Sequence, residues 1–428
     1  MRFSKEEIVN MAGENIRVNR LGNRDHFDWI DLVGIPQRPV PLQNNLYFAT
    51  HSQGEGGWNY PFDRRKVALA VHKEKNWPLV VDFELDLKDG EYLQVRSLDQ
   101  LASSIYEISR QRTNPYIVGV TGSVGKTTSV AFIEHILKTA GERVERFYSK
   151  RFTPLSVMCH YINRVDLDTS YVVMEYSAYM QEHVVELSRL LPPNISFLTN
   201  IYDTHINPGM FRNKKEIYDS KIRIRPSNGV GYINERVLSN LGLEVPHGWR
   251  TFSVEPPEGV NNPILPPTLR TAEIYTVGKI FAQEVGLPLE LLFKAYETFS
   301  PAERRIVLCS VKGKPVYFHR ETSGGSRLWS WFETMDGSVP NLFVESLDFA
   351  DEDPLGFVSL LKPIFESNKT YILDTPLNRQ RLPVSGNFLT QSNFFAKFAD
   401  SSGYTVYHKA LASRDNSFDP QLYLEEVV

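Results

Sequence analysis

The stretch GVTGSVGKTTS, Gly119 to Ser129, constrains this chain more than any other. An apolar run, Tyr116 to Val120, precedes it and reads as a buried strand. A helical pattern from Lys126 to Ala140 follows and ends at Gly141. Gly122 and Gly125 let the backbone fold closely around an anion. The amides entering the helix then face phosphate oxygens, and the helix dipole adds to their field. Lys126 is placed to reach the β/γ-phosphates and the Thr127 hydroxyl to ligate Mg²⁺, while Ser123 and Thr128 complete the loop. A strict G-x-x-x-x-G-K-[ST] loop needs glycine at position 120, and this chain has Val120. The competing reading is a glycine-rich strand-to-helix turn that holds no ligand.

Around the loop the chain alternates strand and helix signals. Tyr171 to Met174 and Ile195 to Leu198 are short apolar strands, and helices are expected over Ala272–Val285 and Leu289–Phe299. Alternation of this kind predicts an α/β fold with a parallel sheet carrying helices on both faces. Before Asn114, strand-like runs (NLYFAT, KVALAVHK, WPLVVDFE) mix with turns and end in a helix, Leu98 to Arg112. After Pro301 come a hairpin turning at Lys312-Gly313-Lys314, the strands LFVES, TYILD and YTVYH, and helices near Leu355–Phe365 and Phe394–Phe398. The expected organisation is therefore three domains. Residues 1–113 form an N-terminal mixed α/β domain that binds substrate, 114–300 a central ATP-binding phosphate-loop domain, and 301–428 a smaller C-terminal α/β domain.

Composition narrows the class further. Forty-seven Lys and Arg against 51 Asp and Glu give a formal net charge of −4, which does not support a general nucleic-acid or anionic-membrane binder. Two cysteines cannot build a disulfide framework or a zinc cage. No secretory signal pattern or apolar run of membrane-spanning length stands out, so the expectation is a cytoplasmic protein whose partners are small molecules.

At TGSVGKTT the residues resemble the Mur ligases. The likeness continues, in the family's order and approximate spacing, at EYSAYMQEHV from Glu175, SFLTNIYDTHINPG, KKEIYDSKIRI and GVGYINER. NNLYFAT stands where members carry a G-x-L-F-x-A-like strand. The motifs lie nearest the branch that adds D-alanyl-D-alanine to UDP-MurNAc-tripeptide. The resemblance implies ATP and Mg²⁺, and formation of an amide through an acyl phosphate. It implies Lys126 on the β/γ-phosphates, Thr127 and Glu175 on Mg²⁺, His205 on a second magnesium and Asn200 as a shaper of the site. Lys221 matches the lysine that many members carbamylate. Taken singly, Glu175 also reads as a solvated carboxylate and His205 as a capping residue. Lys221 also reads as a surface lysine paired with Asp219 or Glu216.

Several family features are missing. WIDLVGIPQRPVPLQ lacks the Ser-Arg pair that precedes NNLYFAT in the branch, and PPTLRTAEIYTVGK lacks the asparagines of the adenine-contacting H-N-x-x-N motif. The P-G-R junction is represented by Pro301 to Arg304, which makes Arg304 the nucleotide-binding counterpart. The third-domain motif falls at His319 to Gly325, where only Glu321 is chemically similar. The departures fall on substrate and adenine recognition, while the phosphate and metal set is kept. The reading is an ATP-dependent carboxylate–amine ligase of specialised metabolism. A peptidoglycan-precursor ligase with a UDP-linked acceptor and a nucleotide-binding, non-catalytic partner subunit are the alternatives.

Overall fold

The computed structural model describes residues 2–32, 44–50, 69–70, 72–74, 77–85, 90–147, 153–178, 181–202, 206, 210–301, 306–320, 333–335, 340–347, 367–382, 386–411 and 418–427. Three main sheets follow one another along the chain, with helices between their strands, as an α/β fold requires. The chain divides into two compact units. One is Met1–Val118 with Arg143–Met174 and Glu186–Pro192, and the other is Gly119–Glu142 with Glu175–Val185 and Pro193–Val428.

In the first unit, strands Ile16–Asn19, Tyr92–Val95, Leu79–Val81, Asn45–Ala49 and Trp29–Leu32 lie side by side in that order. The first pair is antiparallel and the others are parallel. Tyr47, Leu79, Val81 and Tyr92 form its core, and Tyr47 stacks on Trp77 with ring centroids 4.3 Å apart. KVALAVHK was expected as a strand. Its described part, Leu69, Ala70, His72 and Lys73, is helical. The inward residues Leu69 and His72 lie three apart, a helical spacing that the surrounding apolar run obscures. Helix Leu98–Arg112 packs on helix Pro154–Arg164, and both are started by side chains. Ser97 accepts from the Gln100 amide at 3.2 Å, and Thr153 forms a reciprocal box with Ser156.

The central sheet is built from β1 (Tyr116–Thr121), β2 (Val144–Phe147), β3 (Tyr171–Glu175), β4 (Ile195–Leu198), β5 (Val230–Asn234) and β6 (Trp249–Phe252). Its order is β6-β5-β4-β1-β3-β2. The pairs β2–β3, β4–β5 and β5–β6 run parallel. Strands β1, β3 and β4 are almost wholly buried, which explains why they read as unbroken apolar runs rather than as alternating patterns. In the second unit, helix α1 (Lys126–Thr139) packs against Leu289–Thr298 and against the helix Leu269–Glu284. The latter starts three residues before the expected Ala272 because Thr268 caps it, accepting from the Thr271 amide at 3.2 Å.

The last sheet has the order Ile306–Val311, Lys314–His319, Thr405–Lys409, Asn341–Ser346, Thr370–Leu373, Phe388–Leu389. Its first two strands form the expected hairpin, with Lys312 and Gly313 at φ 48° and 77°. The remaining neighbours are parallel. One apolar cluster includes Phe132 and Ile136 of α1, Tyr275, Tyr296 and Phe299, and continues to Leu342, Val344 and Val406 of this sheet. The helix expected near Leu355–Phe365 lies outside the described residues, as does Glu321. No described helix is long and apolar enough to cross a membrane.

Candidate active site

The loop between β1 and α1 is closed by contacts that demand its glycines. A Cβ on Gly122 would stand 2.2 Å from the Thr199 hydroxyl, so only glycine fits there. Gly125, at φ +80°, turns the chain into α1 and lies against the Arg270 side chain. Position 120 needs no glycine. Val120 sits inside β1, fully buried, and its carbonyl accepts from the Tyr176 amide at 2.9 Å.

Asn200, just beyond β4, clamps the loop from the side. Its Oδ1 accepts from the amides of Ser123 at 3.1 Å and Val124 at 2.8 Å, and its Nδ2 donates to the Val124 carbonyl at 2.9 Å. The Asn200 carbonyl takes a further bond from the Ser123 amide at 3.0 Å. Ser123 Oγ in turn accepts from the Tyr202 amide at 2.9 Å. The amides of Ser123 and Val124 are thus spent on Asn200, which leaves the entrance of α1 as the place where phosphate oxygens would be received. That entrance has no side-chain cap and no acidic residue in its own first turn, and the carboxylate that faces it is Glu175, from β3.

Three side chains converge on Glu175 at this entrance. Thr127 Oγ1 donates to Glu175 Oε2 at 2.6 Å, Ser177 Oγ donates to Glu175 Oε1 at 2.9 Å, and Lys126 Nζ stands 3.8 Å from the same Oε1. Lys126 also donates to the Ser123 carbonyl at 3.2 Å. Glu175 is buried at the end of β3, where a carboxylate needs such donors and a nearby cation. The hydroxyl of Thr127 and the carboxylate of Glu175 are adjacent hard oxygens, which fits Mg²⁺ completed by phosphate oxygens and water. Among the described residues no three or more His, Cys, Asp or Glu side chains gather into a metal cage.

The remaining expected residues divide. His205 and Arg304 lie outside the described residues, so the structure does not place them with the loop. Thr128 is buried in the first turn of α1. Lys221 ends helix α2 (Lys214–Lys221) and is 2% exposed, while Glu216 pairs with Arg212 and Asp219 with Lys215. A surface lysine on the charged helix face is therefore not what this fold makes of Lys221. The same helix is tied to the segment after β3, Ser220 Oγ donating to the Gln181 carbonyl at 2.8 Å and Arg223 pairing with Glu182 at 2.7 Å.

Sequence reasoning missed the residues behind the clamp. On helix α3 (Leu269–Glu284), Arg270 and Glu273 form a buried ion pair, exposed by only 1% and 3%. Glu273 accepts from Asn200 Nδ2 at 3.0 Å and from Asn234 Nδ2 at 3.2 Å. Arg270 Nη2 donates to the Tyr202 hydroxyl at 3.0 Å. Burial pushes the Arg270 guanidinium's pKa below its usual value, with the Tyr202 hydroxyl opposing that shift. The available signal was two opposite charges at i and i+3 in an otherwise mostly apolar helix.

Residues 120–235 match the Mur ligase middle domain. UDP-N-acetylmuramoylalanine–D-glutamate ligase of Petrotoga mobilis is 25% identical over 238 residues, 51% of this chain and 52% of that protein. UDP-N-acetylmuramoyl-tripeptide–D-alanyl-D-alanine ligase of Buchnera aphidicola is 26% identical over 147 residues, 32% of this chain and 29% of that protein. The chain thus spans about half the length of the first relative and under a third of the second. A crystal structure of MurF from Acinetobacter baumannii shares the fold over 97% of this chain and 98% of its own, with a TM-score of 0.71 at 13% identity.

Proposed function

We propose that this chain, whose middle domain is that of the Mur ligases, is an ATP-dependent carboxylate–amine ligase working through an acyl phosphate. The observation that carries the reading is the Thr127–Glu175 pair beside Lys126 at the uncapped entrance of α1. A substrate carboxylate oxygen attacks the γ-phosphorus and ADP leaves. An amine then attacks the acyl carbon, phosphate departs, and the amide forms with loss of a proton. Both steps crowd negative charge. The α1 amides and Lys126 bind and neutralise the phosphate oxygens, and the Asn200 clamp keeps the loop in that shape before nucleotide arrives. Thr127 and Glu175 would hold Mg²⁺, which supplies Lewis-acid stabilisation of the transferring phosphoryl group.

In this proposal residues 1–113 bind the acceptor, 114–300 bind ATP, and 301–428 form the third domain. His205 is a second metal ligand, Arg304 a nucleotide contact, and Lys221 a catalytic residue in carbamylated form. The substrates follow from the departures. With no Ser-Arg pair before NNLYFAT and no asparagine in PPTLRTAEIYTVGK, we assign the chain an amide-forming step of specialised metabolism. The activities in the relatives' names favour a second reading, a peptidoglycan-precursor ligase. Release of phosphate from ATP, measured across panels of carboxylates and amines that include UDP-linked peptides, tests both. Release with free carboxylates supports the first, and release only with UDP-linked acceptors supports the second. None with any pair, despite ADP binding, supports a non-catalytic subunit.

A further inference from the structure

We infer that the buried Arg270–Glu273 pair is a positioning device for the phosphate loop, setting the loop's nucleotide affinity without touching the nucleotide. The inference rests on nucleotide binding at the loop as proposed above. Its geometry is a three-layer arrangement. The loop residues Ser123 and Val124 are held by the segment Asn200 to Tyr202, and both ends of that segment are held by one ion pair. Glu273 grips the Asn200 amide at 3.0 Å, and Arg270 grips the Tyr202 hydroxyl at 3.0 Å.

The chemistry of the grip matters. A carboxylate only accepts, so Glu273 fixes which way the Asn200 amide points. Nδ2 must face Glu273, and Oδ1 is left to receive the amides of Ser123 and Val124. The Val124 carbonyl also accepts from Nδ2, at 2.9 Å, and Glu273 adds to that hold, so its loss weakens what keeps the Asn200 NH₂ from turning against those two N–H donors. Arg270 acts on the loop a second way. A Cβ on Gly125 would stand 2.8 Å from Arg270 Cδ, so the side chain's stem backs the residue that starts α1. Arg270 Nε has no hydrogen-bond partner among the described residues. Its burial therefore carries a desolvation cost at Nε that an apolar residue in the same place would not.

Affinity for Mg·ADP, by titration calorimetry, and thermal midpoint separate positioning from mere support. Removing one charge strands the other, so the pair is replaced together, as R270M/E273L. Apolar replacement of a buried ion pair commonly leaves stability unchanged or raised. The double variant is expected to keep the wild-type midpoint within a few degrees and to bind Mg·ADP about 10- to 100-fold more weakly, as when groups behind a site's own ligands are lost. A folded double variant with wild-type affinity overturns the inference. If that variant does not fold, Tyr202→Phe removes only the hydroxyl that receives Arg270, with an expected weakening of about 2- to 10-fold, the worth of one hydrogen bond. Unchanged affinity in folded Y202F also overturns it. A wild-type chain that binds no ADP overturns the nucleotide reading itself, whereas wild-type binding with unaffected variants overturns this inference alone.

Discussion

The hydroxyl of Thr127 donates to the carboxylate of Glu175 at 2.6 Å across 48 residues of sequence. The first residue of this pair belongs to the first turn of α1 and the second to the end of β3. Each supplies an oxygen that Mg²⁺ accepts, and each lies where the phosphates of a nucleotide bound at the α1 entrance would arrive. Glu175→Gln keeps the shape and one of the hydroxyl contacts, turns the other into an NH₂ donor facing a hydroxyl oxygen, and removes the charge. Turnover of ATP is expected to fall by about 10²–10³-fold, the scale for loss of one preorganised group facing developing charge. Dependence on Mg²⁺ concentration should shift upward at the same time. Wild-type turnover with an unchanged Mg²⁺ titration in the variant would remove Glu175 from the metal site.

Lys126→Ala should abolish turnover and leave the fold in place. Lys126 is partly accessible and acts on the Ser123 carbonyl and the Glu175 carboxylate rather than on an apolar core. Its loss leaves phosphate charge unneutralised in the ground state and more so in the transition state. Circular dichroism checks the fold and phosphate release checks the activity. A folded variant that still turns ATP over would sink the ligase reading.

The phosphate loop, three of the six central strands and the helix starts at Leu98, Lys126 and Leu289 were legible in the sequence, and physical reasons explain which. Strands buried on both faces must be continuous apolar runs, as YIVGVT and YVVME are. A cap such as Ser97 announces its helix through its own hydrogen-bonding needs, whereas the helix that Thr153 caps, Pro154–Arg164, was not read from the sequence. The Arg270–Glu273 pair was not legible. An i, i+3 charge pair reads as a surface feature, and only the packing of helix α3 on both sides turns it inward. Asn200 showed only as part of a T-N motif, because the loop amides it holds are 76 and 77 residues away. Lys221 misleads in the same manner, since KKEIYDSK is charged along its length while its last lysine is buried.

Stability should fall as the medium is acidified below neutrality. His160 is buried, with Nδ1 2.9 Å from the Ser156 carbonyl, and its pKa is lowered from 6.5 to about 4. Burial is the main cause and Arg164 adds repulsion. His408, fully buried against His319 with Nδ1 atoms 2.9 Å apart, is also lowered, first by burial and then by His319. The unfolded chain therefore binds protons between pH 6.5 and 4 that the folded chain refuses, so stability is lost as pH falls through that window and is flat above it. For His160 alone the fall from 6.5 to about 4 corresponds to on the order of 3 kcal/mol, at 1.36 kcal/mol per pH unit. Urea unfolding at pH 7.5 and pH 5 measures it, and equal stabilities would refute the assignment.

The final expectation concerns Lys221. Lys221 is buried at the end of α2, and divalent cations nearby would repel a charged ammonium. Carbamylation by CO₂, with loss of two protons from the ammonium, would turn that cation into an anionic oxygen donor and remove the repulsion. Under this proposal Lys221→Ala loses most activity, and millimolar acetate restores part of it by placing a carboxylate where the carbamate stood. Bicarbonate depletion should lower wild-type activity and leave the variant unaffected. A lysine that serves packing alone predicts something different. Its alanine variant would lose thermal stability, keep its turnover per folded molecule, and ignore both acetate and bicarbonate. Steady-state rates normalised to the folded fraction, with and without acetate, decide between the two.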